Sequence, residues 1–170
     1  ARFEKYCVSG NNKEEFSYLI RNELPFETYM ELAEWYERIG CIDEAIELLM
    51  CAKDYPLALY QSAYLWDKKG ETKKSDLALE KANSISPDFV YPFRPKTIEY
   101  LRWAESKSDN WKIKYYQALT YWSNQQKVKA LELMNSCSPN EYAPFYLSRA
   151  QLQSGDKSLQ DMLMAEKIEK

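Results

Sequence analysis

Apolar residues recur along this chain three and four positions apart, the spacing of one helical face, and not in the strict alternation of a half-buried strand. In residues 31–52, ELAEWYERIGCIDEAIELLMCA, the large apolar side chains form such a stripe, and Ala33, Gly40, Ala45 and Ala52 occupy places where bulkier residues would bury more surface. At the start, ARFEKYCV (1–8) reads as the end of a helix. Asn12 followed by Glu15 then signals a cap for a helix running to about Leu24. The segment PDFVYPFRPK (87–96) interrupts the pattern, because its three prolines forbid regular helix or central strand. Beyond it, Pro95 suits the first turn of a helix through about Ser106, and Asn110 suits the cap of the next.

The stripes repeat. From Ala33 the chain reads Tyr36, Gly40, Ala45, Leu49 and Ala52. From Ala63 it reads Trp66, Gly70, Ser75, Leu79 and Ala82, and from Ala118 it reads Tyr121, Gln125, Ala130, Met134 and Cys137. The intervals are +3, +4, +5, +4 and +3 in each pass. This order describes two antiparallel helices packed closely. A small residue on each helix at the crossing lets the axes approach to the short end of the usual range, about 8 Å. An aromatic one turn later fills the wedge beside the crossing, and glycine suits the left-handed position that ends the first helix. The third small residue admits the following pair.

This register resembles the tetratricopeptide repeat over 29–56, 59–87 and 114–142, with Pro87 where that family often closes a repeat. The departures are specific. Ala33 and Ala63 lie 30 residues apart, against about 34 in the family, so Pro56 starts a helix sooner. Ala63 and Ala118 lie 55 apart, which makes room for an insertion, and Gln125 stands where the turn glycine is expected. In a fourth unit Ser148, Gly155 and Met164 fit the register, whereas Gln151 and Gln160 do not. The resemblance implies an all-α fold, a right-handed superhelix of stacked antiparallel helix pairs forming one domain over 1–170. Within it the leading helices occupy 1–24, repeats occupy 26–54 and 56–86, and an insertion of loop and helix occupies 87–107. A third repeat follows at 110–137 and a degenerate fourth at 141–169.

Composition narrows the function. The chain is 45% hydrophobic and 29% charged, the balance of a folded globular protein. With a net charge of −3 it lacks the excess of basic residues that a nucleic-acid footprint needs. The lysines of DKKGETKK (67–74) alternate with acids around a glycine, as in a solvated turn. No apolar run reaches the length of about 18 residues that spans a bilayer. There is no histidine, and the four cysteines, Cys7, Cys41, Cys51 and Cys137, form no C-x-x-C pair. Metal ligation and any other cofactor are therefore not expected; a Cys41–Cys51 disulfide stays open. Acid pairs such as Asp43–Glu44 fall in first turns, where the helix dipole accounts for them. No Gly-rich phosphate loop or nucleophile elbow appears, so no enzyme is expected. The chain opens at Ala1 without a methionine and reads as a piece of something longer.

What remains is a surface. The resemblance implies that groove-facing positions lie three before, one after, and four or five after each crossing residue. These are Met30, Glu34, Glu37 and Arg38 in the first unit, and Tyr60, Tyr64, Asp67 and Lys68 in the second. The third contributes Tyr115, Leu119, Trp122 and Ser123, and the fourth Phe145, Arg149, Leu152 and Gln153. Met30, Glu34, Tyr60 and Tyr64 replace the Lys and Asn of the family's carboxylate clamp, so that mode of peptide capture is not implied. Tyr60, Tyr64, Tyr115, Leu119, Trp122, Phe145 and Arg149 are the candidates for contact with a partner, since Tyr, Trp and Arg dominate interaction hot spots. Helical aromatics are also ordinary core residues, and Phe89, Tyr91 and Phe93 of the insertion need cover of their own. The expected partner is a protein or peptide segment. Two other readings are carbohydrate binding and a spacer or self-association module. PDFVYPFRPKTIEYLRWA and EYAPFYLSRA are similar to the helical part of large bacterial repeat proteins that carry a separate β-rich domain.

Overall fold

Every segment whose stripe predicts a helix beyond residue 24 is a helix in the computed structural model, which describes residues 25–170 other than 138 and 140. The leading helices expected in 1–24 lie outside the described residues. Among those described there are nine α-helices and no strand. They are α1 (Pro25–Arg38), α2 (Ile42–Leu49, continued by a 3-10 turn over Met50–Ala52), α3 (Pro56–Lys68) and α4 (Thr72–Ser84). After the insertion come α5 (Thr97–Lys107), α6 (Trp111–Ser123), α7 (Lys127–Asn135), α8 (Ala143–Leu152) and α9 (Asp156–Glu169). Pro56 opens α3 at its first turn, where a missing amide hydrogen costs nothing. Asn110 caps α6, its Oδ1 accepting from the Lys112 amide at 3.0 Å.

The helices form two compact units divided between Ser86 and Pro87. In the first, α1 packs on α2 and α3 on α4. In the second, α6 packs on α7 and α8 on α9, with α5 against α6. The small residues of the three matching passes, Ala33, Ala45, Ala52, Ala63, Ser75, Ala82, Ala118, Ala130 and Cys137, are all buried. At one crossing the contact is direct: the Ser75 hydroxyl on α4 donates to the Ala63 carbonyl on α3 at 2.8 Å. A side chain from one helix can reach the main chain of its neighbour only where nothing larger intervenes, which is the purpose of the spacing. Around these contacts pack Met30, Leu48, Leu49, Leu57 and Leu65 in the first unit, and Tyr100, Leu101, Ile113, Tyr116 and Met134 in the second. Cys137 is buried too, and burial pushes its thiol up to about 11. Cys41, Cys51 and Cys137 are free thiols, so no Cys41–Cys51 disulfide forms.

The interval from aromatic to turn has an equally local cause. Gly40 and Gly70 take φ of 83° and 78°, and their amides reach back to the carbonyls of Glu37 and Asp67 at 3.0 and 2.9 Å. The next amides, of Cys41 and Glu71, donate to the carbonyls of Tyr36 and Trp66 at 2.9 and 3.0 Å. This paired closure is the Schellman motif, and it places the aromatic four residues before the left-handed position. The same two bonds close α6, from Gln125 to Trp122 and from Gln126 to Tyr121, at 3.0 and 2.8 Å. There Gln125 holds φ of 63° without being a glycine. Left-handed backbone costs an L-residue about 1 kcal/mol. Gln125→Gly is therefore expected to stabilise the protein by about 0.5 kcal/mol after the added unfolded-state entropy is subtracted. Gly70→Ala should destabilise it by about 1 kcal/mol, although a β-carbon there would meet nothing within 4 Å. Urea midpoints for the two variants check both signs.

The last pair departs from the expected register. Gly155 does not close α8 in this way; with φ 67° and ψ −148° it stands as the N-cap of α9, which begins at Asp156. Starting that helix immediately after the glycine slips the buried face by one position, to Asp161 and Ala165. Met164, expected in the core, is correspondingly exposed. Ser148 is not at the crossing either. Its neighbour Ala150 is, and the Ser158 hydroxyl donates to the Ala150 carbonyl at 2.9 Å.

Candidate binding site

The insertion builds one wall of a cavity. Residues 87–94 are irregular, with a turn at Asp88–Phe89, and exposed and buried side chains alternate along 89–93. Val90 and Pro92 turn inward and are buried, while Phe89, Tyr91 and Phe93 point outward. Phe89 and Tyr91 remain 85% and 70% exposed. Two side chains at the end of α6 fix this wall through its carbonyls: Ser123 Oγ donates to Pro92 O at 3.3 Å and Asn124 Nδ2 to Phe93 O at 2.8 Å. Phe89 holds a left-handed φ of 58°, an uncommon conformation for a bulky residue.

Facing that wall are two helical stripes of equal spacing, Tyr115, Leu119 and Trp122 on α6 and Pro144, Ser148 and Gln151 on α8. Tyr142 completes the lining between them. The space enclosed is ≈ 960 Å³, the upper part of the range for pockets that bury a ligand. Tyr115 anchors the floor. Its ring packs against Trp111, Tyr142 and Phe145 at centroid distances of 5.8, 6.0 and 5.5 Å, and its hydroxyl lies 3.4 Å from Ser148 Oγ. Burial raises the Tyr115 phenol above its ordinary range, partly offset by the Ser148 hydrogen bond. Tyr142 is raised further, by burial first and then by Tyr115 and the Asp88 carboxylate. Both phenols are therefore neutral across the physiological range.

Of the residues expected to meet a partner, the structure brings together Tyr115, Leu119 and Trp122. Tyr64 belongs to the first unit, half-buried, with the Lys68 ammonium 4.8 Å from its ring centroid, and does not line this cavity. Three others are structural. Tyr60 is fully buried and donates to Asn83 Oδ1 at 2.7 Å. Phe145 is fully buried beneath the Arg149 guanidinium, 5.2 Å from its centroid. Arg149 is engaged by Asp161, its Nε–H and Nη2–H donating to the two carboxylate oxygens at 2.8 and 2.7 Å. The expected groove residue Met30 is likewise core. Sequence reasoning missed Tyr142, Ser148 and Gln151, and placed Phe89, Tyr91 and Phe93 among side chains needing cover. The signals for them were present: period-two alternation in DFVYPF, and the i, i+4, i+7 spacing of Pro144, Ser148 and Gln151.

Among the described residues, no group of three or more Cys, Asp or Glu side chains could hold a metal ion, and no helix is long and apolar enough to cross a membrane. The cleft offers ring faces, neutral hydroxyls and amides, and one carboxylate. That set can hold a ligand through ring contacts and hydrogen bonds.

No family model matches the chain, and no curated protein matches it. Solved structures similar to it include the MamA RS-1 ArsTM double mutant, 14% identical over 85% of this chain and 94% of that one, with a TM-score of 0.42. A crystal structure of MamA is 19% identical over 98% and 84% of the two chains, at 0.37. MamA from residue 41 to its end, from Desulfovibrio magneticus RS-1, is 16% identical over 84% and 90%, at 0.33. Likenesses at this level assign no residue a role and name no partner for the chain.

Proposed function

We propose that this chain is a non-catalytic, tetratricopeptide-like scaffold whose second unit binds a segment of a partner protein in the cleft between residues 87–93 and the facing stripes of α6 and α8. The observation that carries this reading is the cavity of ≈ 960 Å³ whose walls are mostly aromatic and apolar. Its rim leaves Phe89 and Tyr91 largely in water. Rings held at a surface by a fixed frame bind with little loss of side-chain freedom, which is the advantage of a preorganised site.

Phe89→Ala removes a side chain that supports nothing in the core, and Trp122→Ala removes one that is half-buried. Each is expected to weaken the partner at least about tenfold, the loss typical of an interface hot spot, with the helical circular dichroism unchanged. A photo-crosslinking amino acid at position 91 should capture in cell extract a protein that the Trp122→Ala background does not. Capture at equal yield in both backgrounds would reject the cleft as the site. A variant melting far below the parent would place Trp122 in the core instead.

Carbohydrate binding is the second reading, favoured by one feature: exposed aromatic faces beside the neutral polar groups of Ser123, Gln125, Ser148 and Gln151. A glycan array that retains the parent but not Phe89→Ala, with no peptide bound, would reverse the order.

A further inference from the structure

Resting on the proposal that the cleft holds a protein segment, we infer that Phe89 is its specificity-determining side chain, held in a strained backbone conformation for contact with an apolar side chain of that segment. The strain is local and has a plain origin. The Val90 amide donates to the Pro87 carbonyl at 3.4 Å, closing a turn over 87–90 with Asp88 and Phe89 at its centre. Phe89, the second central residue, takes φ of 58°. A turn with positive φ at that place ordinarily carries glycine or asparagine there, because a β-carbon crowds the main chain. Among the described residues the other positive-φ positions belong to Gly40, Gly70, Gly155 and Gln125. Gln125 is held by the two bonds that close α6.

The ring does not offset this strain within the fold. It is 85% exposed, and no aromatic or cationic side chain among the described residues stacks on it. Phe93, by contrast, lies beneath the Arg94 guanidinium at 5.1 Å. Phe89 nevertheless lines the cavity, together with Tyr115, Leu119 and Trp122. Backbone strain that packing leaves uncompensated is characteristic of residues that act on a ligand. A phenyl ring has no hydrogen-bonding group, so it selects by apolar surface and shape. A polar side chain seated against it would lose water and gain no partner. An aliphatic, proline or aromatic residue buries its surface there, and an aromatic one adds a ring contact.

The test uses a random dodecapeptide library displayed on phage, selected on the parent protein and counter-selected on Trp122→Ala. Enriched peptides are expected to share one apolar or aromatic position whose replacement by serine weakens binding. Phe89→Asn, which suits the left-handed backbone, should bind the same peptides about tenfold more weakly while melting about 2 °C above the parent. Reselection on Phe89→Asp should exchange the shared apolar residue for lysine or arginine, a switch that a merely structural role would not produce. Peptides lost on Trp122→Ala that bind Phe89→Asn as tightly as the parent would overturn this inference while the segment-binding function stands. Reselection that returns the same apolar residue would do so too. Phe89→Asn melting well below the parent would likewise overturn it, by showing that the ring holds the fold. A library in which no peptide separates the parent from Trp122→Ala would overturn the inference and the segment-binding function together.

Discussion

Replacing Arg149 by alanine is expected to lower the unfolding free energy by about 3 kcal/mol, the scale for breaking a buried ion pair by removing one partner. The reason lies in what is left behind. Asp161 lies on the buried face of α9, and its side chain is 8% exposed against 20% for Arg149. The guanidinium fork satisfies both carboxylate oxygens, and Gln153 Nε2 donates to one of them. Without the fork, a nearly buried carboxylate keeps one amide partner. The packing of the guanidinium over Phe145 and Tyr146 also goes. Arg149→Lys, which retains the charge but not the paired geometry, should recover less than half of the loss. The double variant Arg149→Met, Asp161→Leu should recover most of it, because well-packed apolar groups can replace such a pair. Chemical denaturation of the three variants separates these outcomes. Unchanged stability in Arg149→Ala would show that the pair does not hold α8 to α9.

The second large effect is expected at a crossing. Ala63→Leu should cost about 3 kcal/mol or more, at or beyond the upper end for overpacking a close-packed core. Ala63 and Ser75 are both buried, and the 2.8 Å bond between the Ser75 hydroxyl and the Ala63 carbonyl leaves no room for three more carbons. The helices would have to separate along their length, which loosens Leu57, Leu65 and Leu79 around them. Ser75→Ala, by contrast, keeps the size and loses one hydrogen bond, so about 1 kcal/mol is expected. Leu77→Ala on the exposed side of α4 should be near neutral. Thermal melts that rank Ala63→Leu far below Ser75→Ala, with Leu77→Ala at the parent value, are the expected result. Equal losses for leucine at 63 and alanine at 77 would remove the role given to small residues.

What the sequence discloses and what it hides divides along the range of the forces involved. The three regular pairs were legible because each interval is fixed by neighbours a few residues apart. A left-handed residue closes the helix, the carbonyl four residues before it accepts the second closing bond, and small residues meet five positions later. Gln125 obeys this geometry against its own preference, so the spacing survived the substitution. The fourth pair was misread because Gly155 looks like Gly40 and Gly70 in sequence, yet it is itself the N-cap of the helix that follows, whereas after those two glycines the next residues, Cys41 and Glu71, are the caps. The site was harder still. Tyr60, Phe145 and Trp122 all lie on helical faces of similar character, and whether a face is covered depends on elements far along the chain. The irregular insertion, tied to α6 across about thirty residues, decided which aromatics stay open.

That tie has a consequence for how recognition could change over time. The wall is held by its carbonyl oxygens, which every amino acid supplies, and by buried Val90 and Pro92. The outward positions 89, 91 and 93 contribute almost nothing to that attachment. The side chains at 91 and 93 can be exchanged while the frame keeps its shape, and position 89 takes those that tolerate its left-handed backbone, so new specificities are reachable by single substitutions.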